Sequence, residues 1–189
     1  TEIYTLSLHD ALPIVAYGAY SGYTLPNLVR WMKDELVGTD NYNRFGDKFP
    51  LLVKFIDAHD DLSVQVHPDD GLAMQRHRCL GNAEMWYVLG ADENAHLIAG
   101  FSRKISPKQY REMVADGSFV DALYSYCVKP GDVYYIPAGR VHSLGKGTMV
   151  AEVQETSDIT YRIFDYNRRD KDGNLRQLHV AEATDAIDF

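Results

Sequence analysis

The stretch Leu62-Ser63-Val64-Gln65-Val66-His67-Pro68-Asp69-Asp70 alternates apolar and polar residues and then breaks into a turn. This is the period of a half-buried strand, and it puts Gln65 and His67 on one face, two residues apart. A neutral imidazole beside an amide oxygen is half of a metal site, and Glu84 and His142 are candidate donors for the other half. Ligands of mixed oxygen and nitrogen type suit zinc or a similar divalent ion. Taken alone, a strand histidine is more often a satisfied or surface residue than a ligand, so the weight falls on the surrounding sequence.

Around that strand lie other short segments of the same kind. Residues 49–58 (FPLLVKFIDA), 84–89 (EMWYVL) and 95–101 are β-rich and bounded by turn residues, as are 124–128, 132–136, 150–155 and 159–165. Lys129-Pro130-Gly131-Asp132 and Pro137-Ala138-Gly139 supply turn chemistry. Two stretches depart from the pattern. Residues 25–37 space Leu28, Val29, Met32, Leu36 and Val37 at helical intervals, with Pro26 near the start and Gly38 at the end, which predicts one short amphipathic helix. Residues 106–123 predict a helical insertion opened by Ser106 and Pro107 and interrupted at Gly117. Many short strands with Gly and Pro turns point to a mainly β fold, a double-sheet jelly roll.

The chain has 189 residues, 46% of them hydrophobic, which suits one domain with a real core. Its formal net charge of -8 argues against a nucleic-acid partner or an anionic membrane surface, both of which need a basic field. An anionic substrate therefore has to be held by a local cluster of cations or by a metal. The two cysteines, Cys79 and Cys127, form no disulfide framework and no metal-type spacing, as expected in a reducing cytosol. With no apolar run long enough for a transmembrane helix and no secretory leader, the expectation is a soluble cytoplasmic protein. Oligomeric state is left open.

The string Gly131-Asp132-Val133-Tyr134-Tyr135-Ile136-Pro137-Ala138-Gly139-Arg140-Val141-His142 joins a tight turn, a strand and a histidine just past a Pro-Gly corner, an arrangement characteristic of cupins. Together with residues 50–70 (PLLVKFIDAHDDLSVQVHPDD), 83–89 (AEMWYVL) and 157–168 (SDITYRIFDYNR), it closely resembles the type I phosphomannose isomerases. Separate motifs in the right order make the resemblance far more specific than one histidine pair. It implies a cupin-type double-stranded β-helix with short helical insertions. It also implies one Zn2+ per chain on Gln65, His67, Glu84 and His142, and a phosphosugar substrate. The reaction implied is interconversion of mannose 6-phosphate and fructose 6-phosphate through an enediol, which needs a base in reach and a stabilised oxyanion. By the same resemblance Arg162 is the active-site arginine that stabilises the enediolate, and Glu152 is a candidate base. Lys54 and Ser63 match positions where an ammonium and a hydroxyl suit sugar or phosphate oxygens. Lys54 also stands inside an otherwise apolar strand, where an inward lysine is costly unless it meets an anion.

Some features depart from the family's pattern. Asn82 stands where many members carry a substrate-binding lysine, two residues before the glutamate ligand. Residues 1–13 lack the family's usual opening strand, so they are expected to be an atypical, non-native segment ahead of a cupin-like domain over 14–189. Members are also commonly longer, with a further C-terminal β region, so this chain is expected to be a fragment. The runner-up reading is accordingly a non-catalytic sugar-binding or regulatory metal cupin. A metal-dependent cupin oxygenase would use a more histidine-rich set to hold iron, and Gln65 suits zinc better.

Overall fold

A computed structural model describes residues 2–5, 14–169 and 172–189. The first sheet contains β1 (Glu2–Thr5), β2 (Leu51–Asp57), β4 (Glu84–Ala91), β7 (Val133–Ile136) and β9 (Thr148–Glu155), in the order β1-β2-β9-β4-β7. The second contains β3 (Val64–Val66), β5 (His96–Phe101), β6 (Leu123–Cys127), β8 (His142–Leu144) and β10 (Tyr161–Phe164), in the order β10-β3-β8-β5-β6. Neighbouring strands pair antiparallel in both sheets. This is the jelly-roll layout expected of a cupin, with two separate sheets rather than a closed barrel.

Strand alternation decides what each sheet offers to the other. Ile56, Trp86, Val88, Ile136 and Val150 of the first sheet pack on Leu97, Ala99 and Leu144 of the second, a dry core between the sheets. Val64, Val66, Ile98, Tyr161 and Ile163 point away from it, onto a helical layer. That layer comprises α5 (Pro107–Asp116), a 3-10 helix (Phe119–Ala122) and α6 (Val180–Ala186), which contribute Tyr110, Phe119 and Ala183. Because Val64 and Val66 face the helices, Gln65 must face the other sheet. A slip of one residue would exchange the two sets.

Helix α5 starts with a full capping box, in which Ser106 and Gln109 satisfy each other's backbone N–H groups, and it stops at Gly117 in the left-handed conformation. The stretch 25–37 is not one helix. It divides into α1 (Leu25–Met32) and α2 (Asp34–Val37) at Lys33, whose φ of 50° ends the first segment. Apolar spacing runs on through residues 36 and 37, but α2 buries nothing, so no packing holds the two segments in line. Two further helices follow signals that apolar periodicity does not carry. These are α3 (Thr39–Phe45) and α4 (Asp70–His77), the latter capped by the Asp69 carboxylate accepting from Leu72 N–H. Residues 2–5 pair with β2 as an edge strand, and the rest of the 1–13 segment lies outside the described residues. Among the described residues no helix is long and apolar enough to cross a membrane.

Candidate metal centre

His67, Glu84 and His142 come together from β3's end, β4 and β8, and one donor atom of each lies within 4.8 Å of the others. All three are buried, at 4%, 3% and 1% exposure. Backbone ties make this convergence. Gly139 N–H, in the turn before His142, donates to the His67 carbonyl at 2.9 Å. Asn82 N–H donates to the Pro68 carbonyl at 3.2 Å, and Gly81 N–H to the Asp70 carboxylate at 2.8 Å, which moors the start of β4 beside His67. Gly81 is needed there because a Cβ would stand 2.5 Å from the backbone of Pro68 and Asp69.

The histidine tautomers follow from their outer contacts. His67 Nδ1 lies 2.8 Å from the Ile159 carbonyl and His142 Nδ1 2.8 Å from the Arg140 carbonyl, so each ring carries its proton on Nδ1 and turns an Nε2 lone pair inward. His67 Nε2 stands 3.0 Å from Glu84 Oε1, and His142 Nε2 3.7 Å from Glu84 Oε2. With neutral rings these are acceptors facing acceptors, and His67 Nε2 and Glu84 Oε2 have no hydrogen-bond donor at all. Only a proton or a metal cation satisfies both sides. Burial pulls His67 down, but Glu84 and the Ile159 carbonyl outweigh it and hold the ring above its ordinary value. Burial raises Glu84, yet His67, His142 and Lys54 hold it below the usual carboxylate range. Burial drops His142 to about 4, leaving it neutral and ready as a ligand. Gln65 pairs with His142 in the sheet and donates its amide N–H to His142 Nε2 at 3.3 Å. A half turn of that amide presents its oxygen as a fourth donor.

The cluster lines a cavity of about 520 Å3 that is walled by residues of both sheets. Lys54, Glu152 and Trp86 form a cross-strand row over β2, β9 and β4 beside the cluster. Lys54 Nζ donates to Glu152 Oε1 at 2.9 Å and also reaches Gln154 Oε1, so the inward lysine does meet an anion. Burial, then the nearby Glu84 charge, raises the Glu152 carboxyl above its ordinary value despite that lysine. Ser63 is buried, lines the cavity and donates weakly to Gln65 Oε1 at 3.4 Å. Asn82, also in the lining, donates to Glu84 Oε1 at 2.9 Å and leaves its own Oδ1 buried without a partner.

Arg162 is not brought into the cavity lining. Its backbone pairs with Gln65, but the guanidinium donates to the Gln177 carbonyl at 3.1 Å and its Nε is buried unpartnered. The arginines that line the cavity are Arg168 and Arg176, which the sequence reading missed. Both contact Asp165 Oδ1, at 2.5 and 3.5 Å, and Arg168 also donates to the Asp61 carbonyl at 2.7 Å. The available signal was the density of arginine in residues 162–176 of an otherwise acidic chain.

Comparison with known proteins identifies the family. The model of the type I phosphomannose isomerase catalytic domain matches residues 8–112, so the likeness starts ahead of residue 14, the expected start of the cupin-like domain. Mannose-6-phosphate isomerase of Streptococcus mutans is 41% identical over 187 residues, 98% of this chain and 57% of that protein. Mannose-6-phosphate isomerase ManA of Bacillus subtilis is 39% identical over 189 residues, 99% of this chain and 58% of that one. The crystal structure of the mannose 6-phosphate isomerase from Bacillus subtilis superposes with a TM-score of 0.87 at 39% identity, over 95% of this chain and 55% of that one. This chain thus spans little more than half the length of these relatives. On its sequence, its fold and its family match, the chain belongs to the type I phosphomannose isomerases.

Proposed function

We propose that this chain carries the active site of a zinc-dependent isomerase interconverting mannose 6-phosphate and fructose 6-phosphate. The observation that carries the reading is the convergence of His67 Nε2 and His142 Nε2 on the Glu84 carboxylate, where His67 Nε2 and Glu84 Oε2 have no donor, beside the buried Glu152 carboxylate in one cavity. Gln65, His67, Glu84 and His142 would hold the ion, a borderline donor set with one carboxylate that leaves a net positive charge. Bound there, zinc supplies the charge that polarises sugar oxygens and stabilises the enediolate.

Glu152 is the base. A carboxyl raised by burial is a better proton acceptor than a solvated one, and its two oxygens keep free lone pairs beside the bonds from Lys54 and Trp86. It takes the proton from one of the two carbons and returns it to the other. Lys54 balances its charge in the resting site, while Ser63 and the Asn82 Oδ1 are placed for sugar hydroxyls.

Arg168 and Arg176 hold the phosphate. The lining carries three cationic side chains, Lys54, Arg168 and Arg176, against three carboxylates, Glu84, Glu152 and Asp158. With neutral histidines the lining cancels, and Asp165, which contacts both arginines, brings the sum to -1, so a divalent ion turns the cavity cationic, the sign a phosphate needs. An acidic protein thereby keeps a pocket suited to a dianion. Arg162 acts in this geometry as a brace for the Arg176 loop through Gln177, rather than on the enediolate itself.

The test is a coupled assay for fructose 6-phosphate formed by the purified, zinc-loaded protein, with unphosphorylated mannose as comparator. Turnover of mannose 6-phosphate well above that of mannose is expected. Sugar-phosphate binding without turnover would favour the regulatory cupin instead.

A further inference from the structure

We infer that Trp86 is a positioning residue that aims the Glu152 carboxylate and braces the metal ligand His142 with the same ring. This rests on Glu152 acting as the base. Trp86 is 2% exposed, at the boundary where the dry core between the sheets gives way to the polar cavity. A purely apolar side chain would serve that core position. The indole instead brings an N–H, which a buried site leaves orphaned unless something accepts it. Glu152 Oε2 accepts it at 2.9 Å, while Lys54 takes Oε1 at 2.9 Å from the opposite neighbouring strand. Donors from β4 and β2 therefore pin both oxygens of a carboxylate on β9, and its terminal torsion has no freedom left. The same indole meets His142 edge-on, with ring centroids 5.5 Å apart and planes at 75°. His142 belongs to the other sheet. One side chain on the first sheet thus sets the spacing between the base and a ligand carried by the second.

The test separates this geometry from the activity. The chain has two tryptophans, Trp86 and the 63% exposed Trp31, so their indole N–H signals are distinguishable by nuclear magnetic resonance. The Trp86 N–H signal is expected to resist exchange with solvent and to shift in Glu152→Gln, with or without turnover. In kinetics, Trp86→Phe keeps a ring against His142 but removes the N–H. It should lower kcat about tenfold to a hundredfold, the worth of one hydrogen bond to a charged group, with KM and zinc stoichiometry nearly unchanged. In a Glu152→Gln background the same change should cost little more, because the two act as a unit. A rapidly exchanging Trp86 N–H that ignores Glu152→Gln overturns the inference. So does a Trp86→Phe loss that is undiminished in the Glu152→Gln background, which would mark an ordinary core defect. If the wild type does not isomerise at all, the isomerase reading fails while the indole signal still decides whether Trp86 holds Glu152.

Discussion

In the metal cluster, His67, Glu84 and His142 are at most 4% exposed and stand on or beside strands tied together by backbone hydrogen bonds. Elsewhere in the lining, Arg168 and Arg176 have side chains 32% and 46% exposed, on the segment following edge strand β10. That segment turns through Tyr166 and Asn167 with φ of 53° and 55°, a conformation non-glycine residues seldom adopt. The two groups therefore hold charge in different ways. Buried acceptors have no water to fall back on, so they require a cation and tolerate little displacement. The arginines remain partly solvated and anchored to one carboxylate, so their loss should weaken substrate binding without disturbing the fold.

Breaking the metal cluster should have the largest effects. His67→Ala or His142→Ala removes a ligand and should lower zinc affinity by at least about a hundredfold, abolishing turnover with it, as measured by metal analysis after dialysis. Stoichiometric zinc in both variants would refute the ligand set. Next in size is Gly81→Ala, which touches no donor but forces a Cβ against the Pro68 and Asp69 backbone. It should destabilise the protein by about 1–3 kcal/mol and weaken zinc binding together, a coupling that denaturation with and without zinc would display. Asn82→Ala removes the donor to Glu84 Oε1 and should cost about tenfold in zinc affinity, the scale of a lost outer-shell contact.

The arginine pair is predicted to respond otherwise. Arg168→Ala should raise KM for mannose 6-phosphate by about tenfold to a hundredfold and leave both zinc content and the weak turnover of mannose in place. The more exposed Arg176 should give a smaller, salt-sensitive change. A fall in zinc content in either variant would erase the distinction between the two groups.

The mildest effect concerns pH in the zinc-free protein. The folded-state value of His67 is raised above 6.5, so its contribution is complete below 6.5 and lost as pH climbs through the raised value. Glu84 is depressed below 4.5, so its contribution is present above 4.5 and lost as pH falls through the depressed value. Their ion pair should support the zinc-free fold most between about pH 4.5 and 6.5, seen as a maximum in thermal stability that His67→Ala removes. With zinc bound the proton is displaced, and affinity should rise with pH through the same range.

The same contrast explains what was legible in the sequence. The alternation of Val64, Gln65, Val66 and His67 orients every donor in that strand, because a period of two has only one packing that buries the valines. Glu84 and His142 stood beside diagnostic turns. The helices α3 and α4 depend on caps and local bonds such as Asp69 to Leu72, which leave no apolar stripe to read. Arg168 and Arg176 owe their position to a left-handed turn and to Asp165, and neither periodicity nor motif spacing encodes which of several nearby arginines points inward. The resemblance assigns Arg162 to the active site, and its backbone does pair with Gln65, but the guanidinium is drawn aside to Gln177.

In the proposed site, donors from both sheets hold one ion on which isomerisation depends. The most direct test of this is titration of chelator-stripped protein with zinc while following the conversion of mannose 6-phosphate to fructose 6-phosphate. Activity should be absent at the start, rise in proportion to added zinc and level off at one equivalent per chain. Equal turnover by the stripped protein, or one tightly bound equivalent of zinc that leaves the folded protein inactive, would contradict it.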